Sequence, residues 1–380
     1  MYKRIQKFID CNNESFFLWG PRQVGKSTLL KEKFPNSLYY DLLLSNEFNR
    51  LIKKPSLLRE EILASEKNKQ AVIIDEIQKI PILLDEVQWM MVNKGIRFIL
   101  CGSSARKLKR NHGNLLGGRA LRYELYPLVS KEINNFDLLK ALNSGLIPRH
   151  YLAQNHQKLL ESYIGDYLRE EINSEALTRN VPIFSHFLKS AAFSNGEIIN
   201  FHNIASDCGI SVPTVKNYFS ILEDTLLARF IPSYRAQPKR RVIKSPKFYF
   251  FDLGIVNSLL KRKKIEPGTE LFGRALEHFI LQELIAYSHY SDLNYDISYW
   301  RTASGIEVDF ILGQNEVVIE VKGSEVKNRH LKGLKAFNEE YQTKKSIIVS
   351  MDPRPRLISD IKVLPVIDFL NLLWNGDIIK

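Results

Sequence analysis

Cysteine is scarce in this chain: three in 380 residues, Cys11, Cys101 and Cys208, far apart and without metal-ligand spacing. That excludes a disulfide framework and a cysteine-based zinc site, and isolated thiols suit a reducing compartment. No apolar run is long enough to cross a bilayer, and the opening stretch MYKRIQKFIDCNNE lacks the apolar core of a signal peptide. The expectation is a cytoplasmic protein with no membrane partner. Acid is in deficit as well, with 42 Asp and Glu against 54 Lys and Arg, a formal net charge of +12. Such a balance favours a polyanionic partner, nucleic acid above all and DNA before RNA. The segment from Ala105 to Arg122 holds no acid at all, and further basic clusters run from Pro238 to Lys247 and from Lys261 to Lys264. Each cluster alone is equally well a solvated face.

What the sequence does contain is clearest at FFLWGPRQVGKSTLL, residues 16 to 30. A short buried-strand pattern gives way to a glycine-punctuated turn and then to a helical pattern, so the amides of the turn converge at a helix N-terminus, where an anion fits. The pattern is G-x-x-x-x-G-K-S complete. Gly20 and Gly25 let the backbone curl into a nest formed with Pro21, Arg22, Gln23 and Val24; Lys26 reaches outer phosphates; Ser27 offers its hydroxyl to magnesium; Thr28 opens the helix. ATP and Mg2+ are the expected ligands.

Two further strands supply partners. AVIIDEIQ, Ala71 to Gln78, is an apolar run ending in two carboxylates at the edge of a parallel sheet. Asp75 there would hold magnesium through water, and Glu76 would polarise the attacking water. IRFILCGSS ends on small hydroxyls, of which Ser103 is the candidate γ-phosphate sensor. After Gly117 and Gly118, Arg119 reads either as a finger on a neighbouring copy's nucleotide, implying a homo-oligomer, or as a contact to a nucleic-acid phosphate.

These residues resemble the AAA+ type ATP-binding proteins of bacteria and archaea whose C-terminal region is a domain of unknown function. The resemblance rests on FFLWGPRQVGKSTLL, AVIIDEIQ, ILCGSSARKL and LLGGRALRYELYPL and covers nearly the whole chain. It implies a five-stranded parallel P-loop core with the roles just given, Arg119 being the arginine of the family's GR element. One departure is SGLIPRH, residues 144 to 150, where the family often has paired glycines, an aromatic and proline-glutamate. That departure predicts a different lid contact.

Beyond the core, helical spacing from about His150 to Ala192 reads as a lid, and residues 200 to 231 carry two helices around a turn at Gly209, the spacing of a winged helix. Its second helix would expose Thr214, Lys216 and Asn217, while Glu223 and Asp224 near its end would repel phosphate. Lys239, Arg240 and Arg241, in the basic wing or linker that follows, are the stronger candidates for phosphate contact.

SYWRTASGIEVDFILGQNEVVIEVKGS, Ser298 to Ser324, alternates around a Gly313-Gln314-Asn315 turn and reads as a hairpin. With Gln314 and Asn315 central in the turn, Asp309 lies opposite Glu320, with Glu307 and Lys322 on the same face and Val308, Phe310, Leu312, Ile319 and Val321 on the other, toward the core. Facing carboxylates repel unless a cation intervenes. Asp, a gap and Glu-x-Lys resembles the metal-dependent PD-(D/E)XK nuclease core, which implies Asp309 and Glu320 as metal ligands, Lys322 as the residue orienting water, and Glu277 on the preceding helix as a further carboxylate.

The expected architecture is therefore α/β: a P-loop AAA+ ATPase core over 1–145, a helical lid or connector over 146–195, a winged helix over 196–245 and a PD-(D/E)XK-like domain over 246–380. Two functions fit it. One is an ATPase acting on nucleic acid with a metal-dependent nuclease-like domain; the other is an ATP-switched protein-interaction module whose C-terminal domain is a non-cleaving scaffold.

Overall fold

The computed structural model describes residues 2–8, 14–65, 71–104, 116–168, 181–234 and 240–380. The chain divides into two compact units, one formed by Gln6–Tyr126 with Asp224–Leu226, the other by Met1–Ile5, Pro127–Glu223 and Leu227–Lys380.

The smaller unit alternates strand and helix: β1 (Ser15–Trp19), α1 (Lys26–Lys33), β2 (Leu38–Asp41), α2 (Ser45–Lys53), α3 (Ser56–Ala64), β3 (Val72–Asp75), α4 (Leu83–Lys94), β4 (Phe98–Gly102) and β5 (Ala120–Glu124). The strands form one parallel sheet in the order β2-β3-β4-β1-β5. Continuous apolar runs make β1, β3 and β4 buried along their whole length, as a sheet covered on both faces requires. Phe17, Val72, Ile74, Leu100, Val87 and Met90 are among the residues of its core. With β1 and β3 on either side of β4, the loop after β1 and the acids ending β3 arrive at one sheet edge.

In the larger unit, α5 (Leu138–Ser144), α6 (Pro148–Leu152), α7 (His156–Ser162) and α8 (Val181–Phe193) follow one another along the chain. Next come β6 (Glu197–Ile198), α9 (Phe201–Cys208), α10 (Val212–Asp224), β7 (Ala228–Ile231) and β8 (Lys247–Phe250). The two helices turn at Gly209, whose φ of 63° is left-handed, and the three strands pair antiparallel in the order β6-β8-β7. This moves an expected boundary. The small sheet takes its middle strand from beyond residue 245, because Phe248 of β8 packs with Phe219 and Phe230. The first boundary also moves, from 145 to Tyr126–Pro127. Part of the reason is that Asp252, fully buried, accepts hydrogen bonds from the amides of Leu146 (2.7 Å) and Gly254 (2.9 Å), tying the SGLIPRH segment into the larger unit.

The remainder consists of α11 (Leu253–Leu259), α12 (Glu270–Tyr290), β9 (Ile297–Arg301), β10 (Glu307–Leu312), β11 (Val317–Val321), α13 (Lys332–Asn338), β12 (Lys345–Ser350), β13 (Arg356–Ile358), β14 (Ile361–Pro365) and α14 (Val366–Trp374). Its six-stranded sheet runs β13-β14-β12-β11-β10-β9, with β11, β12 and β14 parallel. The hairpin has the expected register, Phe310 opposite Ile319 and Ile311 opposite Val318, one step short of Asp309 and Glu320. One expectation is corrected. The strands are buried on both faces, for Ile311 and Val318 belong to a core with Leu334 and Phe337 of α13. No helix among the described residues is long and apolar enough to cross a membrane.

Candidate functional sites

The nucleotide site is assembled by the β1–α1 loop and the ends of β3 and β4. Gly25 takes φ 95° to start α1, a left-handed conformation that a side chain would strain, and a Cβ at Gly20 would meet the carbonyl oxygen of Leu125 at 2.5 Å. Lys26 is 5% exposed, and its ammonium donates to the carbonyls of Gly20 (2.7 Å) and Pro21 (2.9 Å), so the lysine itself draws the loop into a curl. Ser27 donates to Asp75 at 2.5 Å. The Tyr39 hydroxyl donates to the same Asp75 oxygen; burial, then that bond, raises its pKa. Sequence reasoning missed Tyr39, although β2 paired in register with β3 sets Tyr39 beside Ile73.

Glu76 sits just past the strand with φ 59°, an uncommon left-handed conformation for a side-chain-bearing residue. It is 8% exposed, and burial raises its pKa against the lowering pull of Lys26. Gln78, also missed, donates to Glu76 and, at 3.1 Å, to the hydroxyl of Ser103, so one buried amide spans the two. Its own oxygen has no hydrogen-bond partner. Asp75, Glu76 and Ser103 thus come together with the loop. Pro21 and Val24 are buried in the loop, Arg22 is half-buried, and Gln23 and Thr28 are exposed. Arg119 is exposed immediately before edge strand β5.

Ser27 and Asp75 suit magnesium, a hard cation that takes oxygen ligands and keeps several waters. Residues 12–134 match the family model described as an AAA domain. This segment is similar to AAA domains, with its P-loop at residues 20–27. Residues 135–266 and 272–369 match two models each described as a domain of unknown function, DUF8612 and DUF4143. The chain is 25% identical over 303 residues to an uncharacterized protein of Mycobacterium tuberculosis, a match covering 77% of this chain and 66% of the relative, so it spans just under two thirds of that protein. It is 24% identical over 341 residues to an uncharacterized protein of Methanocaldococcus jannaschii, covering 81% of this chain and 74% of the other. Among solved structures, the Aeropyrum pernix ORC1 protein in complex with DNA aligns at 11% identity over 66% of this chain and 87% of its own, TM-score 0.28. The ADP form of ORC2 from the same organism aligns at 13% over 66% and 88%, TM-score 0.32. Scores this low add nothing to what the sheet order establishes.

The second candidate site lies in the larger unit, where β10, β11, α12 and β8 converge. Asp309 and Glu320, each 6% exposed, are set opposite each other by the hairpin register, and Glu277 of α12 lies near them. Asp309 accepts from the amide of Val321 at 2.8 Å, and Lys322 donates to Glu320 at 2.5 Å. Two residues missed from sequence enter from β8. By its period of two, Lys247 and Tyr249 share a face; Lys247 donates to Glu277 (3.0 Å) and pairs with Glu307 (2.5 Å), while Tyr249 donates to Glu277 (2.6 Å). The last lysine of the basic stretch therefore points inward, not to solvent. Burial pushes the Asp309 and Glu320 carboxyls up, Asp309 well above its usual range with Glu320 as the next cause, whereas Glu277 is lowered because Lys247, the Tyr249 hydrogen bond and Lys322 together outweigh its burial. Among the described residues no group of three or more His, Cys, Asp or Glu is arranged to hold a metal ion. As it stands the cluster does not fit a divalent ion.

Of the expected nucleic-acid contacts, Lys216 and Asn217 are exposed on α10, with the Lys216 ammonium 5.6 Å from the centre of the Phe201 ring. Arg241 is exposed, but Arg240 is tied to Glu339 (2.6 Å), Glu340 (3.0 Å) and the Ala336 carbonyl (2.6 Å) around α13. Lys239 lies outside the described residues, as does the acid-free stretch over 105–115.

Proposed function

We propose that this chain binds and hydrolyses ATP with magnesium and acts on nucleic acid, DNA before RNA. The Ser27–Asp75 contact, with Glu76 beside it, carries the reading: a hydroxyl and a carboxylate that could share one cation, next to a second carboxylate free of that duty. Magnesium, when bound, neutralises charge on the phosphates. Lys26 exchanges its loop carbonyls for phosphate oxygens, Glu76 accepts a proton from the attacking water, and Ser103, joined to Glu76 through Gln78, senses the outer phosphate. Arg119, exposed, serves a neighbouring copy's nucleotide or a nucleic-acid phosphate.

The net charge of +12 and the exposed Lys216, Asn217 and Arg241 support the nucleic-acid reading. For the larger unit we favour a nuclease-like scaffold that holds nucleic acid without cutting it, because Glu277, Glu307 and Glu320 are already paired with ammonium groups. The test is ATP turnover with and without duplex or branched DNA across a salt titration. Stimulation that fades as salt rises is expected; turnover indifferent to DNA at every salt concentration would favour the protein-interaction reading. A magnesium or manganese cleavage assay should show no cutting that Asp309→Ala removes.

A further inference from the structure

We propose that Lys247 is the resident cation of the carboxylate cluster, standing where a divalent ion would otherwise sit, so that the cluster is charge-balanced from within the chain. Its ammonium lies between Glu277 and Glu307, at 3.0 and 2.5 Å, and the residue is only 3% exposed. Burial opposes its charge, yet the surrounding carboxylates hold it protonated, with Glu277 the largest contributor. A buried ammonium is retained only when it is paired.

Charge closes around it. Lys247 pairs with Glu277 and Glu307, Lys322 with Glu320, and Arg301 lies 3.3 Å from Glu307. Replacing Lys247 by an uncharged side chain would leave Glu277 without its ammonium partner, a lost positive charge that a divalent ion can replace. One atom of the cluster is left unpaired: Oε2 of Glu320 is buried without a hydrogen-bond partner. An unpaired buried acceptor is costly, and an incoming cation would relieve it. The Lys247 ammonium thus competes with metal for the same acids. This inference does not depend on the nucleotide site, which is built from other residues.

The test is Mn2+ titration of the full chain without nucleotide, counting only the binding that Asp309→Asn abolishes. The parent and Lys247→Arg should show none up to millimolar metal. Lys247→Met should gain one such ion at least tenfold more tightly, lost again when Asp309→Asn is added. If Lys247→Met folds poorly, Mn2+ should raise its melting temperature, since an ion that binds only the native state stabilises it. An Asp309-dependent ion bound as tightly by the parent as by Lys247→Met would overturn the proposal. So would a Lys247→Met protein that neither binds Mn2+ nor is stabilised by it.

Discussion

The hydroxyl of Ser27 and the carboxylate of Asp75, 48 residues apart in the chain, meet at 2.5 Å. Sheet order causes this: β1 and β3 both pair with β4, so the loop leaving one and the acid ending the other share an edge. A metal shared by these groups leaves Glu76 for the water.

Glu76→Gln should therefore bind ATP as the parent does while turnover falls by about 10²- to 10⁴-fold, the range for a lost general base. Lys26→Ala should lose binding itself. Equilibrium nucleotide titration beside steady-state turnover separates the two, and a Glu76→Gln protein turning over at the parent's rate would remove Glu76 from the mechanism.

Gln78 holds the same carboxylate, and its hydrogen bond is one of the influences that lower the pKa of Glu76. Gln78→Ala removes that bond, so the acid limb of the pH–rate profile should move to higher pH. Turnover should drop about tenfold, from looser placement of the base, with nucleotide affinity retained. An unshifted acid limb would make Gln78 merely a packing residue.

The nucleotide loop, its acids and the hairpin register were legible because each is local: spacing fixes a loop, and a turn fixes which residues face each other. Lys247 was not legible. Its basic neighbours suggested solvent, whereas its direction is set by β8 pairing with β6 and β7 and lying beside α12, contacts from distant sequence. Gly145 shows the same limit. Glycine is required there because a Cβ would meet Asp252 at 2.0 Å, and no local signal links the two.

Glu283 gives the larger unit a pH dependence. Fully buried, it accepts from the amide (2.7 Å) and hydroxyl (2.8 Å) of Ser130 and from the indole of Trp374 (2.6 Å), yet burial pushes its pKa up from 4.5 to about 7. A carboxyl raised on folding binds its proton more tightly in the native state, so its stabilisation is complete below pH 4.5 and is lost as pH rises through 7. Buried His150 and His278, lowered to about 4, act in the opposite sense over the acid part of that range. Comparison with Glu283→Gln cancels their effect. Between pH 4.5 and 8 the parent should lose about 3 kcal/mol relative to that variant, by denaturant unfolding. Parallel stability curves would show that Glu283 does not titrate there.

Arg240 and Arg241 are neighbours in sequence with opposite surroundings, and they should respond differently to removal. Arg240 spends its guanidinium on Glu339, Glu340 and the Ala336 carbonyl, whereas Arg241 is exposed. A side chain that neutralises a phosphate releases counterions, so losing it flattens the salt dependence of DNA binding by about 0.9 in log–log slope, as well as weakening affinity. Arg241→Ala and Lys216→Ala should each do this while leaving the melting temperature nearly unchanged. Arg240→Ala should instead lower the melting temperature and keep the parent's slope, because its ion pairs hold α13 in place. Equal slopes for all three variants and the parent would remove these side chains from the phosphate-binding surface and assign the affinity to other basic residues.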